Sequence, residues 1–207
     1  MMEVAKIKNV AVISENRNLP YLEEVIQNHQ KYLPTTFEWL AYCSDNNREL
    51  FEKYSFMIEP CPDIGHRQDY SLQMVSESYW ERLCEYDKAL VFQHDSGILR
   101  YGIEDFYEWD YIGAPHTCNI EGGNGGFSLR TPKVMLNVCK KIEYKKHIGE
   151  DVYFSKNTAK CGKLAPREEC DKFSVEAIFK LGTFGYHNID RYFPEEQCVQ
   201  IRTQYYK

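Results

Sequence analysis

The 207-residue chain has no Cys-x-x-Cys pair; its eight cysteines, at 43, 61, 84, 118, 139, 161, 170 and 198, come no closer than nine positions. That spacing excludes a zinc knuckle and a thioredoxin-type motif. The sequence also lacks an Asn-x-Ser/Thr acceptor and any apolar run long enough to span a membrane, and its opening MMEVAKIKNVAVISE has no apolar core of the kind a secretory signal needs. We therefore expect reduced thiols, no membrane span and a cytoplasmic protein. Three catalytic signatures are missing as well: the P-loop Gly-Lys-Ser/Thr, His-Glu-x-x-His and the Gly-x-Ser-x-Gly nucleophile elbow. Nor is there a cationic surplus, since 25 Lys and Arg against 31 Asp and Glu leave a formal charge of −6. Binding a phosphate backbone needs a concentrated basic face, so nucleic acid is not an expected partner. The one basic run, KKIEYKKH at 140–147, reads as a solvated helix face or loop.

What is abundant is aromatic: 14% of residues, 16 of them tyrosine. Such rings fill cores, and they also stack on sugar faces, so the count permits a carbohydrate site without requiring one. The chain length suits one domain, 1–207, able to bury about 70% of the surface its unfolded form exposes. Apolar runs at 8–14, 36–44 and 55–61 read as strands, with helical spacing from Pro20 to Pro34 between the first two. A helix carrying Leu72, Val75, Tyr79, Trp80 and Leu83, capped near Asp63, leads into the strand ALVFQ at 89–93. Strand and helix alternate as in an α/β sheet built mainly from parallel units and flanked by helices. Further strands are expected at 109–115 and 125–130, and helices at 132–142 and 150–161.

In open α/β sheets ligands bind beyond the carboxyl ends of the strands. Two polar clusters fall there, Ser14, Glu15 and Arg17 after the first strand and Gln93, His94 and Asp95 inside LVFQHDSGIL, so both are expected to face one crevice. The loop GGNGG at 122–126, with Gly123, Asn124, Gly125 and Gly126, fails the Gly-x-G-x-x-Gly dinucleotide pattern because Ser128 stands where the last glycine would be. Feeding directly into a strand, it would let a ligand lie against bare backbone; equally, its glycines would serve only positive φ.

The ordered blocks LVFQHDSGIL, DYIGAP, GGNGGFSLR, GEDVYFS and FGYHN, spanning about 88–190, resemble the GT-A class of nucleotide-sugar glycosyltransferases, and more closely a family of short glycosyltransferase-like proteins sharing these blocks. The resemblance implies a single-domain, Rossmann-like GT-A fold with a nucleotide-binding half at about 1–95 and an acceptor and catalytic half at about 96–207. It implies a donor that is a nucleotide sugar, expected to be a UDP-sugar, an acceptor hydroxyl on a glycan or other molecule, and a role in glycan or surface polysaccharide synthesis. In that class an Asp-x-Asp motif holds a divalent cation; here Gln93-His94-Asp95 occupies its place and keeps only the last acid, while His187 matches a late histidine ligand. Asp95 and His187 are thus the expected ligands of Mn²⁺ or Mg²⁺, with diphosphate oxygens and water completing the shell. Glu150 and Asp151 match the acidic pair that supplies the base in inverting members, Asp151 as base and Glu150 positioning the acceptor or capping the helix. Arg17 and Arg67 are candidate contacts for the diphosphate or the base. The alternative is a nucleotide-sugar or carbohydrate-binding module without turnover; nucleotidyl transfer fits less well, since SENRNLP after the first strand lacks the glycine- and lysine-containing loop that reaction uses.

Overall fold

The structure, a computed structural model, describes residues 7–205; residues 1–6, part of the opening stretch read above, lie outside the described residues, as do 206–207. Its centre is a six-stranded mixed sheet. Strand β1 (Asn9–Glu15) lies between β2 (Phe37–Cys43) and β4 (Lys88–Phe92), and β3 (Met57–Pro60) follows β2 at one edge, all parallel. On the other side β7 (Phe127–Arg130) runs antiparallel to β4, with β6 (Tyr111–Gly113) antiparallel to β7 at the edge. Val10 to Ile13 are all buried, as expected for a strand covered on both faces.

Alternation along the strands divides the core. Ala11, Ile13, Leu90, Phe92, Phe127 and Leu129 meet helix α1 (Leu22–Tyr32), α2 (Arg48–Lys53) and α7 (Arg167–Phe173) on one face. Val10, Val12, Leu40 and Val91 meet Met74 of α3 (Arg67–Met74), Trp80 and Leu83 of α4 (Glu77–Leu83), Met135 of α5 (Pro132–Lys141) and Phe154 of α6 (Glu150–Asn157) on the other. The long helix expected before β4 is therefore two: Ser76 interrupts it and caps α4 by accepting a hydrogen bond from the Tyr79 amide at 3.3 Å. His66, not Asp63, is the N-cap of α3, and the Asp69 carboxylate accepts from its amide at 2.8 Å. The helix expected to reach residue 161 stops at Asn157 and gives way to a 3-10 turn at Thr158–Lys160.

A second, three-stranded sheet was not legible beforehand. Strand β5 (Ser96–Ile98) pairs antiparallel with β9 (Gly185–His187), and β8 (Ser174–Val175) joins β9 in parallel. Its register opposes Ser96 to His187, and the Asn188 amide donates to the Asp95 carbonyl at 2.8 Å. The two halves of the chain are thereby joined where β4 ends. Helix α8 (Glu195–Thr203) closes the described chain.

Candidate active site

Because β7 runs against β4, its start and the preceding glycine loop lie at the same edge as the ends of β1 and β4; Phe92 opposes Phe127. A cleft with two adjoining lobes opens there. The first, about 240 Å³, is lined by Ser14, Glu15, Arg17, His94 and residues 64–67; the second, about 180 Å³, by Asn124 to Gly126, Glu150, Asp151, Glu176 and His187. Arg67, Tyr70 and Gln93 line both and mark the junction.

In the first lobe Glu15 is only 4% exposed and accepts three hydrogen bonds from Arg17: from the amide at 2.9 Å, Nε at 2.8 Å and Nη2 at 2.7 Å. The bidentate grip fixes a guanidinium that is still largely open to solvent over the end of β1. Hydrogen bonding to Glu15 keeps the Arg17 pKa above its ordinary value. Ser14 Oγ, on the neighbouring strand position, is buried without a hydrogen-bond partner. Arg67 and Tyr70, three residues apart on α3, share the face that looks into the cleft.

In the second lobe the adjacent acids of α6 have different fates. Arg130, fully buried, donates from Nη1 and Nη2 to Glu150 at 2.9 and 3.1 Å, from Nη2 to the Gly125 carbonyl at 3.1 Å and from Nε to Ser128 Oγ at 2.8 Å. The rings of Tyr111, Phe154 and Trp80 stand 4.9, 5.2 and 5.7 Å from the guanidinium carbon. Burial raises the Glu150 pKa against the pull of Arg130. Asp151 is bound more loosely: Asn124 Nδ2 donates to Oδ2 at 3.3 Å, the Val152 amide to Oδ1 at 2.8 Å, and Arg67 Nη2 lies 3.7 Å from Oδ2. Asn124 Oδ1 in turn accepts from the Gly126 amide at 2.8 Å, which ties the loop to the acid.

Gly125 and Gly126 line the second lobe, but the side on which each would carry a Cβ is filled. A Cβ on Gly125 would stand 1.8 Å from Glu150 Oε1, and one on Gly126 would stand 2.2 Å from the His187 ring. Neither has positive φ; what these positions admit is the site's own side chains. Gly122 and Gly123 do have positive φ, 87° and 89°, and shape the turn. Gly123 is tucked behind the loop, its carbonyl accepting from Tyr111 Oη at 2.9 Å.

His187, 5% exposed, has Gln93 Oε1 at 3.0 Å and Asp95 Oδ1 at 3.2 Å from Nε2, and Glu176 Oε1 at 3.2 Å from Nδ1. Burial would depress the imidazole pKa, but Asp95 and then Glu176 outweigh it and raise it to about 9. As donors for a divalent cation, Asp95 Oδ1 is buried and accepts no well-aligned hydrogen bond, and the His187 nitrogen and Gln93 amide oxygen lie beside it. One carboxylate, one imidazole and one amide oxygen suit Mn²⁺ or Mg²⁺ as part of a shell. Among the described residues no three His, Cys, Asp or Glu converge on one point, so other ligands would have to complete it.

The structure thus gathers Ser14, Glu15, Arg17, Arg67, Gln93, His94, Asn124, Gly125, Gly126, Glu150, Asp151 and His187 along one cleft. Asp95 instead opens toward a neighbouring cavity with Tyr21, His94 and Tyr186. Sequence reasoning missed Tyr70, Arg130 and Glu176. Tyr70 could have been found from its helical spacing to Arg67, and Glu176 as the lone acid inside the apolar run FSVEAIF.

A family profile described as "Protein of unknown function (DUF5672)" matches residues 51–187. The chain belongs to this family. The span shared with DUF5672 holds the second-lobe residues from Arg67 to His187, while Ser14, Glu15 and Arg17 of the first lobe and Asn188, Arg191 and Tyr192 of the second fall outside it. No curated protein matches the sequence. Among solved structures, the fold is similar to the apo-form glycosyltransferase GlyE of Streptococcus pneumoniae TIGR4, with TM-score 0.54 and 11% identity over 91% of this chain and 55% of that one. It is similar also to S. aureus TarS 1-349, with TM-score 0.54 and 12% identity over 87% of this chain and 60% of that one. The chain therefore spans little more than half the length of these two proteins, and the likeness is one of fold.

Proposed function

We propose that this DUF5672 chain is a glycosyltransferase that moves a sugar from a nucleoside-diphosphate donor, a UDP-sugar, to an acceptor hydroxyl with inversion at the anomeric carbon. The observation that carries the reading is the two-lobed cleft at the carboxyl edge of the sheet, with a carboxylate, Asp151, in the second lobe 3.7 Å from Arg67 at the junction. In this reading Arg17 and Arg67 bind the diphosphate in the first lobe, and the acceptor enters the second. A hydroxyl is a poor nucleophile; Asp151 accepts its proton as the oxygen attacks the anomeric carbon and the bond to diphosphate breaks, so one displacement inverts the centre. Asn124 and Arg67 hold Asp151 in place. Glu150 acts through Arg130 on the position of the glycine loop. Asp95, His187 and Gln93 would hold a divalent cation, which when bound offsets the negative charge that gathers on the leaving diphosphate. Glycan or surface polysaccharide synthesis in the cytoplasm is the setting we propose.

The test is incubation of the purified chain with a panel of radiolabelled nucleotide sugars and Mn²⁺. Transfer, or slow release of free sugar and UDP, is expected. Saturable binding of a donor with no turnover under any acceptor would overturn the reading in favour of a binding module, the alternative favoured by Gln93 at the place of the first acid of the metal motif.

A further inference from the structure

The acids at the cleft divide by their counter-ions. Glu15 has Arg17, Glu150 has Arg130, and Asp151 has Arg67 at 3.7 Å. Asp95 and Glu176 meet neither arginine nor lysine at ion-pair distance among the described residues; both lie 3.2 Å from the one imidazole of His187. The small sheet makes this arrangement. His187 ends its central strand β9, with Ser96 opposite on β5, so Asp95 stands on one side. On the other side the register Ser174 to Gly185 and Val175 to Tyr186 continues to Glu176 beside His187. Asp95 Oδ1 and His187 Nδ1 are both buried without a well-aligned hydrogen bond, and Gln93 presents Oε1 at 3.0 Å from Nε2. Two carboxylates and an amide oxygen thus surround one ring, with less positive charge than they call for.

The two ring nitrogens are chemically distinct, and the group bonded to one decides what the other offers. Histidines that ligate metals commonly donate the remaining N–H to a carboxylate, which fixes both the tautomer and the plane of the ring. We infer that Glu176 is a positioning residue that accepts from the Nδ1–H of His187 and so keeps that proton on Nδ1, leaving Nε2, once its own proton is lost to solvent, to face a divalent cation together with Asp95 Oδ1 and Gln93 Oε1. This rests on the proposed cation role of Asp95 and His187 and adds to it the residue that orients the ligand.

The experiment measures Mn²⁺ binding directly, from the free-ion signal in electron paramagnetic resonance, in the unmodified chain and in Glu176→Gln, which keeps the size of the side chain and removes its charge. Affinity is expected to fall about 10- to 100-fold, the usual cost of losing such an outer partner, with the thermal melt of the variant monitored alongside. Asp95→Asn should lose more. In a ¹⁵N-histidine spectrum of the Cd²⁺-loaded unmodified chain, His187 should keep its proton on Nδ1 and show the ligand shift at Nε2; this measurement decides the matter even if Glu176→Gln does not fold. Unchanged Mn²⁺ affinity in a folded Glu176→Gln, or a metal-shifted Nδ1, would overturn the role of Glu176 alone. No Mn²⁺ binding by the unmodified chain would withdraw the cation site with it, while sugar transfer is judged separately by the donor assay.

Discussion

Two arginine–carboxylate pairs stand side by side at the first turn of α6, one sealed and one open. Arg130 is buried completely and closes two hydrogen bonds on Glu150 at 2.9 and 3.1 Å, whereas the Arg67 side chain is 80% exposed and comes only to 3.7 Å from Asp151. The difference follows from what each arginine hangs on. Arg130 ends a buried strand beneath three aromatic rings, and desolvation leaves it no partner other than Glu150, Ser128 and the loop carbonyl. Arg67 begins a helix at the cleft mouth, where water competes for it. A buried pair is costly to break yet adds little over a well-packed apolar pair, and an exposed pair is worth under about 1 kcal/mol. The comparison therefore teaches that the first acid belongs to the frame of the site, while the second is held at the cleft by weaker contacts and is the one to which the proposed function gives a chemical role.

The largest effect should come from opening the sealed pair. Arg130→Ala strands a buried carboxylate and should cost about 3–5 kcal/mol of stability, read from the denaturant midpoint. The double change Arg130→Met with Glu150→Leu should recover much of that; a double variant as unstable as Arg130→Ala would mean that the loop contact to Gly125, not the charge pair, is what matters.

Asp151→Asn should do the reverse, leaving the melt nearly unchanged while lowering turnover about 10²- to 10⁴-fold, the span of general base catalysis. Near-normal turnover would remove Asp151 from the mechanism, and product that keeps the donor's anomeric configuration by NMR would reject the inverting scheme. Next in size is Gly126→Ala, whose new methyl must displace His187; overpacking of this kind costs about 1–3 kcal/mol and should weaken Mn²⁺ binding in the same variant. A neutral outcome in both would show that the ring moves aside freely. The smallest is Arg67→Ala, expected to change stability by less than about 0.5 kcal/mol while slowing donor association and flattening its salt dependence. A donor on-rate with the same ionic-strength slope as the unmodified chain would detach Arg67 from the diphosphate.

Much of the frame could be read in advance, because a strand buried on both faces must be a short apolar run. KNVAVIS and ALVFQ are such runs, and the polar residues that end them fell at the ligand-binding edge of a parallel sheet. The misses have physical causes. Apolar spacing across residues 72–83 does not register a backbone turn at Ser76, since Tyr79, Trp80 and Leu83 keep their spacing in one helix or in two, although Leu72 turns out to be exposed. The glycines of GGNGG announced close approach but not what approaches: in the folded chain it is Glu150, Arg130 and His187.

The sequence by itself determined an α/β sheet, the clusters at its strand ends and the absence of the better-known hydrolase and phosphate-loop motifs, because these depend on local spacing and on the chemistry of single residues. Only the tertiary structure decided which charges meet. The pairing of β5 with β9 sets Asp95 against His187, the neighbouring register brings Glu176 to the far side of the same ring, and the antiparallel turn of β7 buries Arg130 under Glu150. Such contacts join residues far apart in the chain, and their strength depends on burial and distance, neither of which a linear sequence contains.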